Sequence, residues 1–144
     1  MKTLLLTFCL TALLFSQVSF DEYFENKTLR LDYYHTGDKN NDFYSFDELI
    51  EEPFWGGSKT NLLDIFNYGS YKFVLRDEES GNEIYTRTYS TLFHEWLTTD
   101  EAMKTTKTFS ETVTMPFPKK KSIAEFYGRD KKNNLVKKFE YKID

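Results

Sequence analysis

The chain has 144 residues and a formal net charge of −4, and 18% of its residues are aromatic. That length suits one domain with one core, and the mild acidity argues against nucleic-acid binding, which needs a basic face. The single cysteine, Cys9, excludes an internal disulfide framework and a thiolate metal site.

The chain opens with Lys2 and the apolar run "LLLTFCLTALLF", followed by "SQVSF". A charged start, a short apolar stretch and small residues predict a secretory leader over residues 1–19, cut after Ser16 or Ser19. The run is too short for a membrane span, and bulky Phe8 before Cys9 disfavours lipidation. The expected product is a secreted domain over residues 20–144, with no membrane span.

The next stretch, "TLRLDYYH", alternates. Leu29, Leu31 and Tyr33 take one face, and Arg30, Asp32 and Tyr34 the other, which predicts a strand. Before it stands the N-glycosylation sequon Asn26-Lys27-Thr28. A polar loop runs from Thr36 to Asp42, and "DKNND" opens like a calcium loop. Phe43 stands where that loop needs glycine and Leu49 where it needs a bidentate glutamate, so a plain turn is the better reading. "FYSFDELI" is a weaker strand candidate, "EPFWGGS" a loop carrying Trp55, and "LLDIF" is ambiguous.

"SYKFVLRD" sets Tyr71, Phe73 and Leu75 against Lys72, Val74 and Arg76, and "EIYTRTYS" alternates back after "EESGN". Two alternating runs around a glycine-containing loop predict a hairpin. "KTFSETVTM" keeps Phe109, Val113 and Met115 in step before the breaker "PFP". The basic run Lys119-Lys120-Lys121 reads as a solvated loop. "SIAEFYGR" and "LVKKFEYKI" form a second hairpin, with Leu135, Lys137, Phe139, Tyr141 and Ile143 expected on one face. Roughly seven or eight short strands without a long amphipathic helix predict an all-β, two-sheet β-sandwich, Ig-like or jelly-roll-like.

One stretch raises the question of chemistry. "FHEWLTTDEA" begins like the zinc signature H-E-x-x-H at His94-Glu95, but Thr98 stands at the second histidine position. That signature needs two imidazoles one helical turn apart, and His35 is the only other histidine. Thr98-Thr99-Asp100-Glu101 fits a capping box, with Thr98 as N-cap and Glu101 three residues on, so one short helix is expected near residues 99–105. No catalytic residue, metal ligand or cofactor site is assigned. The binding candidates are aromatic: Trp55, Trp96, Tyr68 and Tyr71.

The stretches "TLRLDYYHTG", "LDIFNYGSYKFVLRD", "IYTRTYSTLFHEWLTTDEA" and "FSETVTMPFPKK", followed by "EFYGRD", occur in an order that resembles the N-terminal domain of bacterial IgA metallopeptidases, the sixty-fourth metallopeptidase family. Phe93, Glu95, Trp96, Thr98 or Thr99, Glu101 and Ala102 carry the most distinctive piece, in which Glu95, Trp96, Thr98 and Glu101 are read as structural. The resemblance spans about Asp21 to Asp144. It implies a β-sandwich and a secreted accessory or binding module. In such a family the zinc site lies in a second domain with a complete H-E-x-x-H, so no catalytic residue transfers to this chain. The implied partner is a peptidase catalytic domain in the same or a neighbouring gene product, or a host protein or glycan. The alternatives are zinc-dependent peptidase activity of the parent family and a cell-surface structural protein.

Overall fold

A computed structural model describes residues 18–144. The expected leader lies almost wholly in residues 1–17, outside the described residues. A short helix, α1 (Phe20–Tyr23), leads into β1 (Phe24–Gly37) and β2 (Asp42–Glu52). Next come the hairpin β3 (Tyr71–Asp77) and β4 (Glu83–Tyr89), the helix α2 (Leu92–Trp96) and a 3-10 helix (Glu101–Met103). The chain then forms β5 (Lys107–Pro118) and closes with the hairpin β6 (Ser122–Arg129) and β7 (Leu135–Ile143).

The strands form two antiparallel sheets, in the orders β2-β1-β5 and β4-β3-β6-β7. Both bury one face in a shared core. Leu29, Leu31, Tyr33, Val113 and Met115 come from the first sheet, and Phe73, Leu75, Ile84, Phe126 and Ile143 from the second. This is the expected sandwich, and the period-two alternation of β1 and β3 supplies its apolar faces. Each large core side chain contributes about 1.5–3 kcal/mol through burial. In an immunoglobulin constant domain the second strand sits between the first and the fifth. Here β1 takes that central place.

Two bulges adjust the alternation. Between β1 and β2 the register shifts after Asp32, so Tyr33 pairs with Phe46 and Asp47 has no partner in the ladder. That extra residue lets both Tyr44 and Leu49 face inward despite the acidic Asp47-Glu48 pair, which is why "FYSFDELI" holds as a strand. A second shift lies between Phe126 and Tyr127, where the partners step from Phe139 to Lys137. It corrects the expected face of β7. Phe139, Tyr141 and Ile143 pack on the core, but Lys137 turns outward and reaches Glu125 and Glu140.

The expected helix near 99–105 is also corrected. The α-helix lies earlier, over Leu92–Trp96, and carries His94 and Glu95 on it. Its N-cap is Thr91, whose side chain accepts from the His94 amide. Only the 3-10 helix Glu101–Met103 follows, and Asp100 at its cap makes no side-chain bond. Thr98 and Thr99 instead close α2, donating to the carbonyls of Glu95 (2.7 Å) and Trp96 (2.8 Å). Burial of Phe93 and Trp96 fixes the helix at this position. Glu101 does not reach back toward Thr98, because Trp96 and Lys107 both donate to its carboxylate.

Candidate functional site

The inward face of β1 continues past Leu29, Leu31 and Tyr33 to His35, which has no solvent exposure. On the neighbouring β5, Glu111 occupies the inward phase between Phe109 and Val113 and pairs with Tyr33 across the sheet. The core therefore contains a polar cluster. His35 Nε2 lies 3.0 Å from Asp42 Oδ2, and Nδ1 lies 3.3 Å from Glu111 Oε2. Tyr33 donates to the same Glu111 oxygen at 2.8 Å, and the Tyr89 hydroxyl lies 3.2 Å from that of Tyr33. Only an imidazolium donates from both ring nitrogens.

The electrostatics agree. Burial pulls the His35 pKa down, but the bonds to Asp42 and Glu111 outweigh it and the pKa is raised. The bond from His35 holds Asp42 down at about 2. Burial pushes Glu111 upward, and the bonds from His35 and Tyr33 bring it below its usual value. Burial raises the Tyr33 and Tyr44 phenols well above their ordinary range. Aromatic rings seal the imidazole. Tyr44 and Phe93 stack on it with centroids 4.1 and 3.7 Å away, and Tyr71 meets it edge-on.

This arrangement is a poor general base. Both imidazole nitrogens are engaged, and the ring has no access to a substrate. Among the described residues, no group of three or more His, Cys, Asp or Glu could hold a metal ion. His94 sits on the exposed side of α2 with its ring edge-on to Tyr71, away from the buried pair.

The motif around α2 closes this end of the sandwich. Phe93, Trp96 and Ala102 form a small core with Tyr71, and Phe109 packs against it. Trp96 Nε1 donates to Glu101 at 2.9 Å, and Lys107 pairs with the same oxygen at 2.6 Å. Glu95 exposes its side chain and contributes its carbonyl, which accepts from Thr98. The β1–β2 turn is tied to the plug through the Lys39 amide to Ala102 O (2.9 Å) and Lys39 Nζ to Leu97 O (2.7 Å). In that turn Asp38 accepts from the amides of Asn40 and Asn41, and Asp42 turns to His35 and Lys138.

The structure separates the four aromatic candidates. Trp96 and Tyr71 are buried. Trp55 packs against the core, edge-on to Tyr85, with its indole N–H donating to Ser58 O at 3.0 Å. Only Tyr68 is fully presented to solvent, stacked on Phe66. Tyr68, Tyr71, His94, Arg129, Lys138 and Asp42 line an open polar cleft of about 620 Å³ at this end of the molecule. The basic run is spent locally. Lys120 pairs with Glu79, Lys121 with Asp144, and Lys119 donates to Asp21 O.

Sequence reading missed the loop beside the cleft. "LLDIF" forms neither strand nor helix, because Asp64 organises it as a cap on the edge of β4. Asp64 accepts from the amides of Phe66 (2.9 Å), Asn67 (3.3 Å) and Thr88 (2.9 Å), and from the Thr88 hydroxyl. Burial pushes Asp64 upward, but these bonds bring it down to about 2. Its own amide donates to Thr86 Oγ1 at 2.7 Å, and Thr86 N donates to Leu62 O at 2.9 Å. Arg129 donates to Asn67 O and, at 2.9 Å, to Gly69 O. Gly69 is required here, since a Cβ would collide with the Tyr89 backbone.

With the plug motif placed between β4 and β5, comparison with known families is decisive. Residues 19–140 match the family model described as peptidase M64 N-terminus. The chain belongs to that family. The match is to the family's N-terminal domain, and no H-E-x-x-H occurs in the 144-residue sequence. Comparison with curated proteins gives no match. No described helix is long and apolar enough to cross a membrane.

Proposed function

We propose that the protein is a secreted, non-catalytic accessory module of an M64-type peptidase, which positions a peptidase catalytic portion through its surface. The family match over residues 19–140 carries this reading. The interior supports it. The buried histidine and carboxylates are spent on one another and serve to hold β1, β2 and β5 together. The surface supports it too, because loop 62–68 is held by hydrogen bonds to Asp64 while Ile65, Phe66 and Tyr68 face solvent. The apolar leader supports secretion, and the signal cleavage leaves the sandwich domain of residues 20–144 as the working unit.

The test has two arms. The purified full chain is assayed alone for zinc content and proteolysis, and then added to the catalytic portion of an M64 peptidase expressed without its N-terminal domain. The reading expects neither zinc nor cleavage from the chain alone, and a change in KM of the catalytic portion on addition. Stoichiometric zinc with cleavage by the chain alone would overturn it.

A further inference from the structure

We propose that loop 62–68 and the adjoining edge of β4 form the docking surface for the peptidase portion, and that the partner presents an apolar side chain with a carboxylate beside it. This inference rests on the accessory reading above.

Three observations carry it. The first is exposure without disorder. Ile65 is 79% exposed, Phe66 65% and Tyr68 86%. Soluble surfaces seldom group large apolar side chains unless they meet a partner. The backbone beneath these side chains is held by Asp64, Thr86, Thr88 and Arg129. Leu62, buried in the core, anchors the loop's start. A loop ordered before binding loses little entropy on docking, which is what a binding element needs.

The second observation is shape. Between the loop and β4 lies a groove of about 390 Å³, lined by Leu63, Ile65, Phe66, Tyr85 and Arg87. It can take one or two apolar side chains. It is poorly suited to a sugar, because the loop's only carboxylate, Asp64, is spent on backbone amides and Thr88.

The third is charge. Arg30 and Arg76 pair with carboxylates, and Arg129 donates to three backbone carbonyls. Arg87, at the groove, meets no carboxylate among the described residues. A guanidinium free of an ion pair beside an apolar groove suits a partner that brings a carboxylate. The same fact argues against a second copy of this chain. A two-fold contact would bring the same patch against itself, Arg87 near Arg87, with no free carboxylate in the patch.

The experiment is a titration of the full chain into the separately expressed catalytic portion of an M64 peptidase. Its variants are Ile65→Asp, Phe66→Ser and Arg87→Glu, with Phe43→Ser on the other sheet as control. All four positions are exposed, and circular dichroism verifies each fold. The inference expects the three groove variants to weaken binding at least about tenfold and the control to leave it unchanged. Arg87→Glu, at an exposed strand position outside the loop, keeps the test decisive should a loop variant misfold. Equal binding by wild type and all groove variants would overturn the docking surface and leave the accessory reading standing. Failure of the wild-type chain to bind would overturn both. Self-association of the chain that Ile65→Asp abolishes would overturn the inference in favour of a second copy.

Discussion

Phe93 lies flat on His35, with ring centroids 3.7 Å apart and planes 28° from parallel. The contact joins α2, the helix that carries His94 and Glu95, to the buried polar cluster of the sandwich. Phe93 has no exposure, and neither has His35. Phe93 thereby seals the buried His35 ring, whose two nitrogens face the carboxylates of Asp42 and Glu111.

Breaking that cluster is expected to be costly. Glu111→Gln leaves His35 with one carboxylate, and His35→Phe leaves Asp42 and Glu111 without their shared partner. Each change is expected to cost about 3–5 kcal/mol, the usual consequence of orphaning a buried charge. Urea unfolding followed by far-ultraviolet circular dichroism measures it. A loss below about 1 kcal/mol for both variants would show that the cluster does not hold the strands.

The same cluster sets a pH dependence. The His35 pKa is raised above 6.5, so its stabilisation is complete below pH 6.5 and is lost as pH rises through the folded value. The Asp42 pKa is depressed from 3.8 to about 2, so its stabilisation is complete above pH 3.8 and is lost as pH falls toward 2. Glu111 is lowered from 4.5 and acts in the same direction as Asp42. Stability is therefore expected to peak between about pH 4.5 and 6.5 and to fall on both sides. Urea midpoints across pH 3–9 check this, and His35→Phe should remove the alkaline decline.

Two threonines distinguish the cap that forms from the one the sequence suggests. Thr91→Ala is expected to cost about 1 kcal/mol, since Thr91 caps α2. Thr98→Ala removes only a hydroxyl that donates to the Glu95 carbonyl at an exposed turn, and is expected to cost clearly less. Thermal melts of the two variants decide the order, and the reverse ranking would restore Thr98 as the cap.

Much of the fold is legible in the chain. Strict alternation over "TLRLDYYH" and "SYKFVLRD" gives β1 and β3 and their inward faces, because one buried sheet face imposes a period of two. The cluster was present in the same phase. His35 follows Leu29, Leu31 and Tyr33 inward, and Glu111 sits between Phe109 and Val113. Opposite charges at inward positions of two strands are a readable signal, but only once β1 and β5 are known to be neighbours. The bulges at Asp47 and Lys138 were not legible, since cross-strand packing sets them. Beside the first, Phe46 stacks on Tyr141 of the facing sheet at 3.9 Å. Of the aromatic candidates, Tyr68 stays at the surface, whereas Trp96 and Tyr71 are claimed by the plug, a tertiary choice that composition cannot express.

Loop order is open to a simple assay. Asp64→Ala removes the acceptor for three amides and the Thr88 hydroxyl. Limited proteolysis is expected to cut the variant within residues 62–68 at a dilution where the wild-type loop resists. Equal resistance would mean that Arg129 and the Leu62 anchor suffice to order the loop.

The central claim is that this sandwich serves a peptidase without being one. Isothermal titration of the full chain into the isolated catalytic portion of an M64 peptidase tests it most directly. The account predicts saturable one-to-one binding that Arg87→Glu weakens. A flat titration at high micromolar concentration would contradict it.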